Sequence, residues 1–163
     1  MPAFTIRTAT ESDVPLILRF IRDLAEYERM LDKCVASEEA LRETLFGARP
    51  YAEVIFACED GVEVGFALFF HNYSTFLAQP GIYLEDLFVD PSKRGRGYGK
   101  KLLRHLAQIA VARGCGRMEW AVLNWNEPSI AFYRSLGAKP QNEWQVFRLT
   151  GETLTALAGE PES

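Results

Sequence analysis

Residues 82–106, IYLEDLFVDPSKRGRGYGKKLLRHL, restrict the folds open to this chain more than any other stretch. Ile82 to Val89 is an apolar, β-rich run that predicts a strand. Asp90-Pro91-Ser92-Lys93 is a turn, and Pro91 cannot donate to a ladder. Arg94-Gly95-Arg96-Gly97-Tyr98-Gly99 then opens a helix whose apolar face is Leu102, Leu103, Leu106, Ile109 and Ala110. A strand, a glycine-rich turn and a helix N-terminus, in that order, form an anion site. The first N–H groups of a helix have no helical acceptor, and the macrodipole adds roughly half a positive charge there. Glycines let a phosphate approach the backbone, and Arg94 and Arg96 add charge. A phosphorylated ligand is expected at this turn.

The spacing narrows the ligand. No Gly-Lys-Ser/Thr follows four free residues, so the turn is not a nucleotide P-loop. The glycines fit a loose G-x-G-x-G but not the dinucleotide G-x-G-x-x-G, and the turn lies past mid-chain rather than after the first strand. Charge is divided between the two halves. Residues 1–86 hold 15 acidic and 7 basic side chains, and residues 87–163 hold 7 and 11, giving −8 and +4. An anionic cofactor on one side and a cationic substrate on the other suit this division. The overall charge of −4 argues against a general nucleic-acid binder.

Length supports one domain, 1–163, with a proper core. No run approaches the ~18 apolar residues of a membrane span. MPAFTIRTATESD has neither the basic nor the apolar region of a secretory signal. Cys34, Cys58 and Cys115 match no zinc spacing and no disulfide framework. A cytoplasmic protein without a metal, with no membrane or nucleic-acid partner, is expected.

In chain order, Phe4–Arg7 predicts a strand. Thr10 and Asp13 stand at capping-box spacing. Val14, Ile17, Leu18, Ile21, Leu24 and Ala25 then mark a helix to about Arg29. Ser37 caps a second helix, Glu38–Phe46. Tyr51–Cys58 and Val62–Phe70 are strands around the turn Glu59-Asp60-Gly61, and residues 71–81 are a polar and aromatic connection. After the helix that follows the glycine turn come a strand at Met118–Leu123 and a helix starting at Asn126-Glu127-Pro128-Ser129. A last strand is expected at Trp144–Leu149, then a short helix at Gly151–Gly159 and a tail, Pro161-Glu162-Ser163. This order gives a mixed α/β sheet with helices on its faces.

R-G-x-G-x-G after L-F-V-D-P resembles the acetyl-CoA pyrophosphate loop of the GNAT superfamily of N-acetyltransferases. The runs LAEYERM (24–30), VGFALF (64–69), YLEDLFV (83–89) and AVLNWNEPSIAFYRSLGA (121–138) are similar to the spermidine/spermine (diamine) and thialysine N-acetyltransferase branch. Tyr73-Ser74-Thr75 and Ala121-Val122-Leu123 look closer to the thialysine type. The resemblance implies the GNAT fold, a twisted mixed sheet of about six or seven strands with helices on both faces. It also implies acetyl-CoA as co-substrate, a small amine as acceptor, and a homodimer.

Acetyl transfer from a thioester to an amine has definite needs. An ammonium of pKa about 10.4 must lose a proton, and the departing thiolate, from a thiol of pKa about 8.5, should gain one. Tyr133 is the candidate acid: a phenol is protonated at neutral pH, and N-E-P-S-x-x-x-Y matches the stretch that carries the acid in the resembling enzymes. Glu85 is the candidate base, directly or through a water, or else a binder of the substrate cation. By alternation Tyr83, Glu85, Leu87 and Val89 share one face. A carboxylate on an apolar strand is costly to bury unless paired or used, and a structural hydrogen-bonding role for Glu85 or Asp86 is the bland alternative. His71 is the next base by pKa. Tyr27 and Glu28 match positions that contact the amine in the polyamine enzyme, and a ring with a carboxylate suits a cation.

For the cofactor, the resemblance implies backbone contacts from Leu87, Phe88 and Val89 to the acetyl and pantetheine portion, added like another strand. A backbone N–H near Leu87 would polarise the carbonyl. Arg94, Gly95, Arg96, Gly97, Tyr98, Gly99 and Lys100 would hold the pyrophosphate. Asn126, Glu127, Pro128 and Ser129 would flank the far end. Two rival functions remain: acetylation of a protein or peptide amine, and a non-catalytic acetyl-CoA-binding regulator.

Overall fold

Phe20, Phe56, Phe66 and Phe69 are fully buried, and the elements that carry them define the sheet and its first helix. The computed structural model describes residues 1–161. Two compact units divide the chain, Met1–Leu123 and a second from Asn124 onward.

The first unit holds β1 (Phe4–Thr8), α1 (Val14–Tyr27), α2 (Glu38–Phe46), β2 (Glu53–Glu59), β3 (Val62–Ser74), β4 (Gln79–Val89), α3 (Tyr98–Ala112) and β5 (Met118–Trp120). The strands lie in the order β1-β2-β3-β4-β5, antiparallel except for the parallel β4–β5 pair. A mixed sheet was the expectation. Its five strands among the described residues are slightly fewer than the six or seven that the resemblance implied.

Local sequence explains the entry into α1. The Asp13 carboxylate accepts the Thr10 N–H at 2.7 Å, and the Arg7 guanidinium grips the same carboxylate with two contacts of 2.8 Å. This fixes the end of β1 to the start of the helix. Ile17, Phe20 and Leu24 of α1 then pack on Val54, Phe56, Phe66, Leu68 and Phe88. Burying each such phenylalanine or leucine is worth about 1.5–3 kcal/mol. Ala67, Phe69, Ile82 and Leu84, also buried, alternate with that set on β3 and β4. They therefore serve the opposite face. There α3 buries Leu102, Leu103 and Leu106, as its spacing predicted.

Two expectations are corrected. Residues 71–81 are not a loose connection. His71–Ser74 prolong β3 and pair with Gln79–Ile82 at the start of β4, so only residues 75–78 turn. The polar side chains there disguise a long hairpin. Trp144–Leu149 is not a strand: the segment is irregular, with Trp144, Val146, Phe147 and Leu149 exposed. Its alternation supplies strand propensity, but a strand also needs a neighbour for its N–H and C=O groups.

The second unit holds α4 (Glu127–Ser135) and α5 (Gly151–Ala158). Asn126 caps α4 through its Oδ1, which accepts the Ser129 N–H at 3.3 Å, and Pro128 sits in the first turn where no N–H is required. Gly137 ends it with φ at +89°. The tail at residues 162–163 lies outside the described residues.

Candidate functional site

The register between β3 and β4 slips once. Phe69 pairs with Leu84 and Leu68 pairs with Asp86, so Glu85 is an extra residue with no partner on β3. A bulge of this kind resets the alternation of side chains. Tyr83 pairs with Phe70, on the α1 face of the sheet, and their rings lie 5.2 Å apart. Asp86 pairs with Leu68, and Phe88 with Phe66, on that same face. The slip therefore leaves Glu85 and Asp86 together on the α1 side. Leu87, opposite Ala67, belongs to the other face with Val89. The single face proposed for Tyr83, Glu85, Leu87 and Val89 is thus broken after Glu85.

The α1 side at this point is acidic. Ile21, Leu24, Ala25 and Glu28 of the α1 region, with Met30, Lys33, Cys34 and Asp86, line a cleft of about 180 Å³. Glu85 stands exposed beside it, and Asp86 is half-buried. Burial, then the charges of Glu85 and Glu28, push the Asp86 carboxyl up to about 7. Burial and Glu85 also raise Glu28. These mutual effects join Glu28, Glu85 and Asp86 into one electrostatic cluster. A cation entering it would relieve the repulsion. Asp86, which sequence reasoning left as a structural alternative, thus has the ionisation suited to proton transfer near neutrality. His71 stands elsewhere, 3.4 Å from the Arg113 guanidinium.

Beyond the bulge, β4 has an open flank within the sheet. Among the described residues, β5 pairs with Ile82, Tyr83 and Leu84 only, while Leu87, Phe88 and Val89 pair with β3 alone. Phe88 is buried in the core and anchors this segment. An extended acyl chain could join that flank as another strand would.

The flank leads into the glycine turn. Gly95 and Gly97 have φ of +79° and +80°, conformations costly for other residues. Helix α3 starts at Tyr98, and its first helical bond runs from the Lys101 N–H to the Gly97 carbonyl. The N–H groups of Tyr98, Gly99 and Lys100 therefore have no helical acceptor. A Cβ built at Gly95, Gly97 or Gly99 would meet nothing within 4 Å, so the turn presents open space to a ligand. This donor set fits a pyrophosphate.

The charged side chains of the turn do not all face that space. Arg94 donates from Nε to the Val89 carbonyl at 3.0 Å, and its guanidinium lies 4.7 Å over the Tyr27 ring and 5.3 Å over Phe88. Tyr27 and Arg94, expected on substrate and cofactor respectively, are thus neighbours. Arg96 instead reaches back to Glu59 at 2.7 Å. Tyr98 is buried, its hydroxyl donating to Glu59 at 2.5 Å and its ring stacked on Phe4. Only the backbone of Tyr98 is available to an anion. Lys100 is exposed. Glu59 and its partner Lys93 were missed from sequence. Glu59 reads there as the first residue of a hairpin turn, and its partners lie 34–39 positions away.

In the second unit, Tyr133 lies on α4, half-buried, with its ring 5.6 Å from that of Phe132 and tilted 46°. Asn126 is buried as the α4 cap, and Glu127, Pro128 and Ser129 form the first turn.

Known proteins resemble this chain along most of its length. The profile of the "Acetyltransferase (GNAT) family" matches residues 19–138. Thialysine N-epsilon-acetyltransferase of Sus scrofa is 40% identical over 171 positions, covering 98% of this chain and 100% of its own. L-ornithine N5-acetyltransferase NATA1 of Arabidopsis thaliana is 36% identical, covering 93% of this chain and 86% of its own. Among solved structures, an integron cassette protein from the mobile metagenome of V. cholerae is similar with a TM-score of 0.82 at 30% identity, covering 96% of this chain and 98% of its own.

Proposed function

Since the chain belongs to the acetyltransferase (GNAT) family and is an enzyme that transfers acetyl from acetyl-CoA to an amine, we propose that its acceptor is a small lysine-like diamino acid or polyamine. The observation that carries this reading is the bulge at Glu85, which gathers Glu85 and Asp86 on the side of Glu28. A distal ammonium suits that acidic cluster, and the apolar walls from Ile21, Leu24 and Met30 suit a methylene chain. The two relatives above are named for acetylation at Nε of thialysine and N5 of ornithine, which agrees with a side-chain amine.

We assign the parts as follows. Tyr27, Glu28 and Glu85 bind the amine. Glu85 takes its proton, directly or through a water. Leu87, Phe88 and Val89 hold the pantetheine arm along the open flank of β4, and a backbone N–H near Leu87 polarises the thioester carbonyl. Residues 94–100 hold the pyrophosphate through backbone N–H groups, and Asn126–Ser129 flank the far end of the cofactor. Tyr133 gives a proton to the departing sulfur. The thioester of acetyl-CoA supplies the activated acyl group. Holding amine and thioester together is worth up to about 7–11 kcal/mol in favourable cases. Residues 1–163 act as one catalytic domain in this reading, and the enzyme works as a homodimer in the cytoplasm. Sedimentation at the 18.4 kDa mass of one chain would contradict the dimer.

A second assignment of the base has its own support. Asp86 is held near 7, whereas Glu85 is exposed. CoA thiol release by Tyr133→Phe, Glu85→Gln and Asp86→Asn separates the roles. Tyr133→Phe and Glu85→Gln should each lower kcat by about 10²-fold, in the range typical of general acid–base catalysis. A full loss in Asp86→Asn beside an active Glu85→Gln would move the base to Asp86. Undiminished turnover in Tyr133→Phe would remove Tyr133 as the acid.

A further inference from the structure

Glu59 is a charged side chain only 8% exposed, and it serves three partners at once. Its Oε1 accepts the Lys93 ammonium at 2.8 Å, and its Oε2 accepts the Arg96 guanidinium at 2.7 Å and the Tyr98 hydroxyl at 2.5 Å. These partners stand before, within and after the turn that contains Gly95 and Gly97. The backbone of Glu59 is itself fixed: it pairs with Phe4 of β1 and Val62 of β3 at the end of β2.

The turn needs such a tether. Its two positive-φ glycines have the widest conformational choice of any residues, and ordering them is costly. Among the described residues, no side chain packs where their Cβ atoms would lie. Its conformation is therefore held by contacts of the flanking side chains, and Glu59 receives three of these. The same carboxylate draws Lys93 and Arg96 toward the sheet. The anion is then left to the backbone N–H groups and to the exposed Lys100.

We propose that Glu59 is a positioning residue for the acetyl donor: it holds the glycine turn, through Lys93, Arg96 and Tyr98, in the form that presents the α3 N-terminus to the pyrophosphate. The proposal rests on the turn binding the pyrophosphate, as assigned above. It makes Glu59 specific to donors that carry that group. Its removal should weaken acetyl-CoA without affecting the amine or the chemical step.

The test compares acetyl-CoA with S-acetylpantetheine, which has the same thioester and arm but neither the pyrophosphate nor the phosphoadenosine beyond it. In Glu59→Gln, KM for acetyl-CoA should rise about tenfold, the equivalent of one lost charge-assisted contact, with kcat and the amine KM unchanged. With S-acetylpantetheine the variant should match the wild type. Glu53→Gln, which removes a more exposed ion pair to Arg113, should change neither donor. An acetyl-CoA KM that is unchanged or lower in Glu59→Gln overturns the proposal, because the carboxylate then only competes with the anion. An equal loss with both donors overturns it as well, since the role would be general to the fold. If Glu59→Gln does not fold, Tyr98→Phe carries the test: it keeps the charge, and should raise the acetyl-CoA KM alone. A wild type that uses S-acetylpantetheine as readily as acetyl-CoA would instead defeat the pyrophosphate assignment of the turn.

Discussion

Asp86 and Glu59 are two carboxylates displaced in opposite directions for opposite reasons. Glu59 is held down to about 2 by its contacts with Lys93, Tyr98 and Arg96. Its folded pKa lies below the ordinary 4.5, so its contribution to stability is present above that value and is lost as pH falls toward 2. Asp86 is instead pushed up to about 7 by burial, Glu85 and Glu28. Between its ordinary 3.8 and about 7 the folded state holds a proton that the unfolded state has lost. Folding stability therefore falls as pH rises through this window. Asp86→Asn removes that penalty. Urea unfolding should find the variant more stable than the wild type by about 1–3 kcal/mol at pH 8 and equal to it near pH 4. Equal stability at both pH values would show that Asp86 is well solvated or paired. A bound substrate cation should act in the same sense, by drawing the Asp86 pKa down.

The strand–turn–helix element was legible because each part has a local cause: β-branched and apolar residues in β4, proline and glycines in the turn, and period-3.6 leucines in α3. Capping by Asn126 and the Thr10–Asp13 pair was legible for the same reason. The bulge was not, since no residue type announces a one-residue slip between Leu84 and Asp86; it exists only as a relation between two strands. That slip changed the site, because it turned Asp86 toward Glu85 and Glu28. Glu59 was illegible for a related reason, with partners distant in sequence. Trp144–Leu149 shows the converse, an alternating pattern without a ladder. The turn itself gives an element-scale prediction. Gly97→Val places a β-branched side chain at φ +80° and in the space open to the anion. It should raise the dissociation constant of CoA at least about tenfold by calorimetry, from strain of roughly 1–3 kcal/mol. Unchanged CoA affinity would remove the turn from the cofactor site.

At the scale of the molecule, charge is divided along β4. The acidic cluster lies between α1 and the bulge of β4, and the basic turn lies at the opposite end of that strand's C-terminal segment. One strand thus links the acidic cluster to the glycine turn, with the open flank of β4 between them. The family and the fold were readable from sequence because the motif runs extend over most of the chain. The shape of the acidic cleft was not readable from sequence, because side chains from α1, β4 and the segment around Met30–Cys34 form it jointly. The most direct test is a competition. The enzyme is supplied with acetyl-CoA and an equimolar mixture of thialysine, lysine, ornithine, spermidine, spermine, putrescine and a lysine peptide, and acetylated products are identified by mass spectrometry. The expected result is acetylation of a free diamino acid or polyamine, with the peptide untouched. Acetylation of the peptide in preference to every free amine would contradict the small-amine assignment.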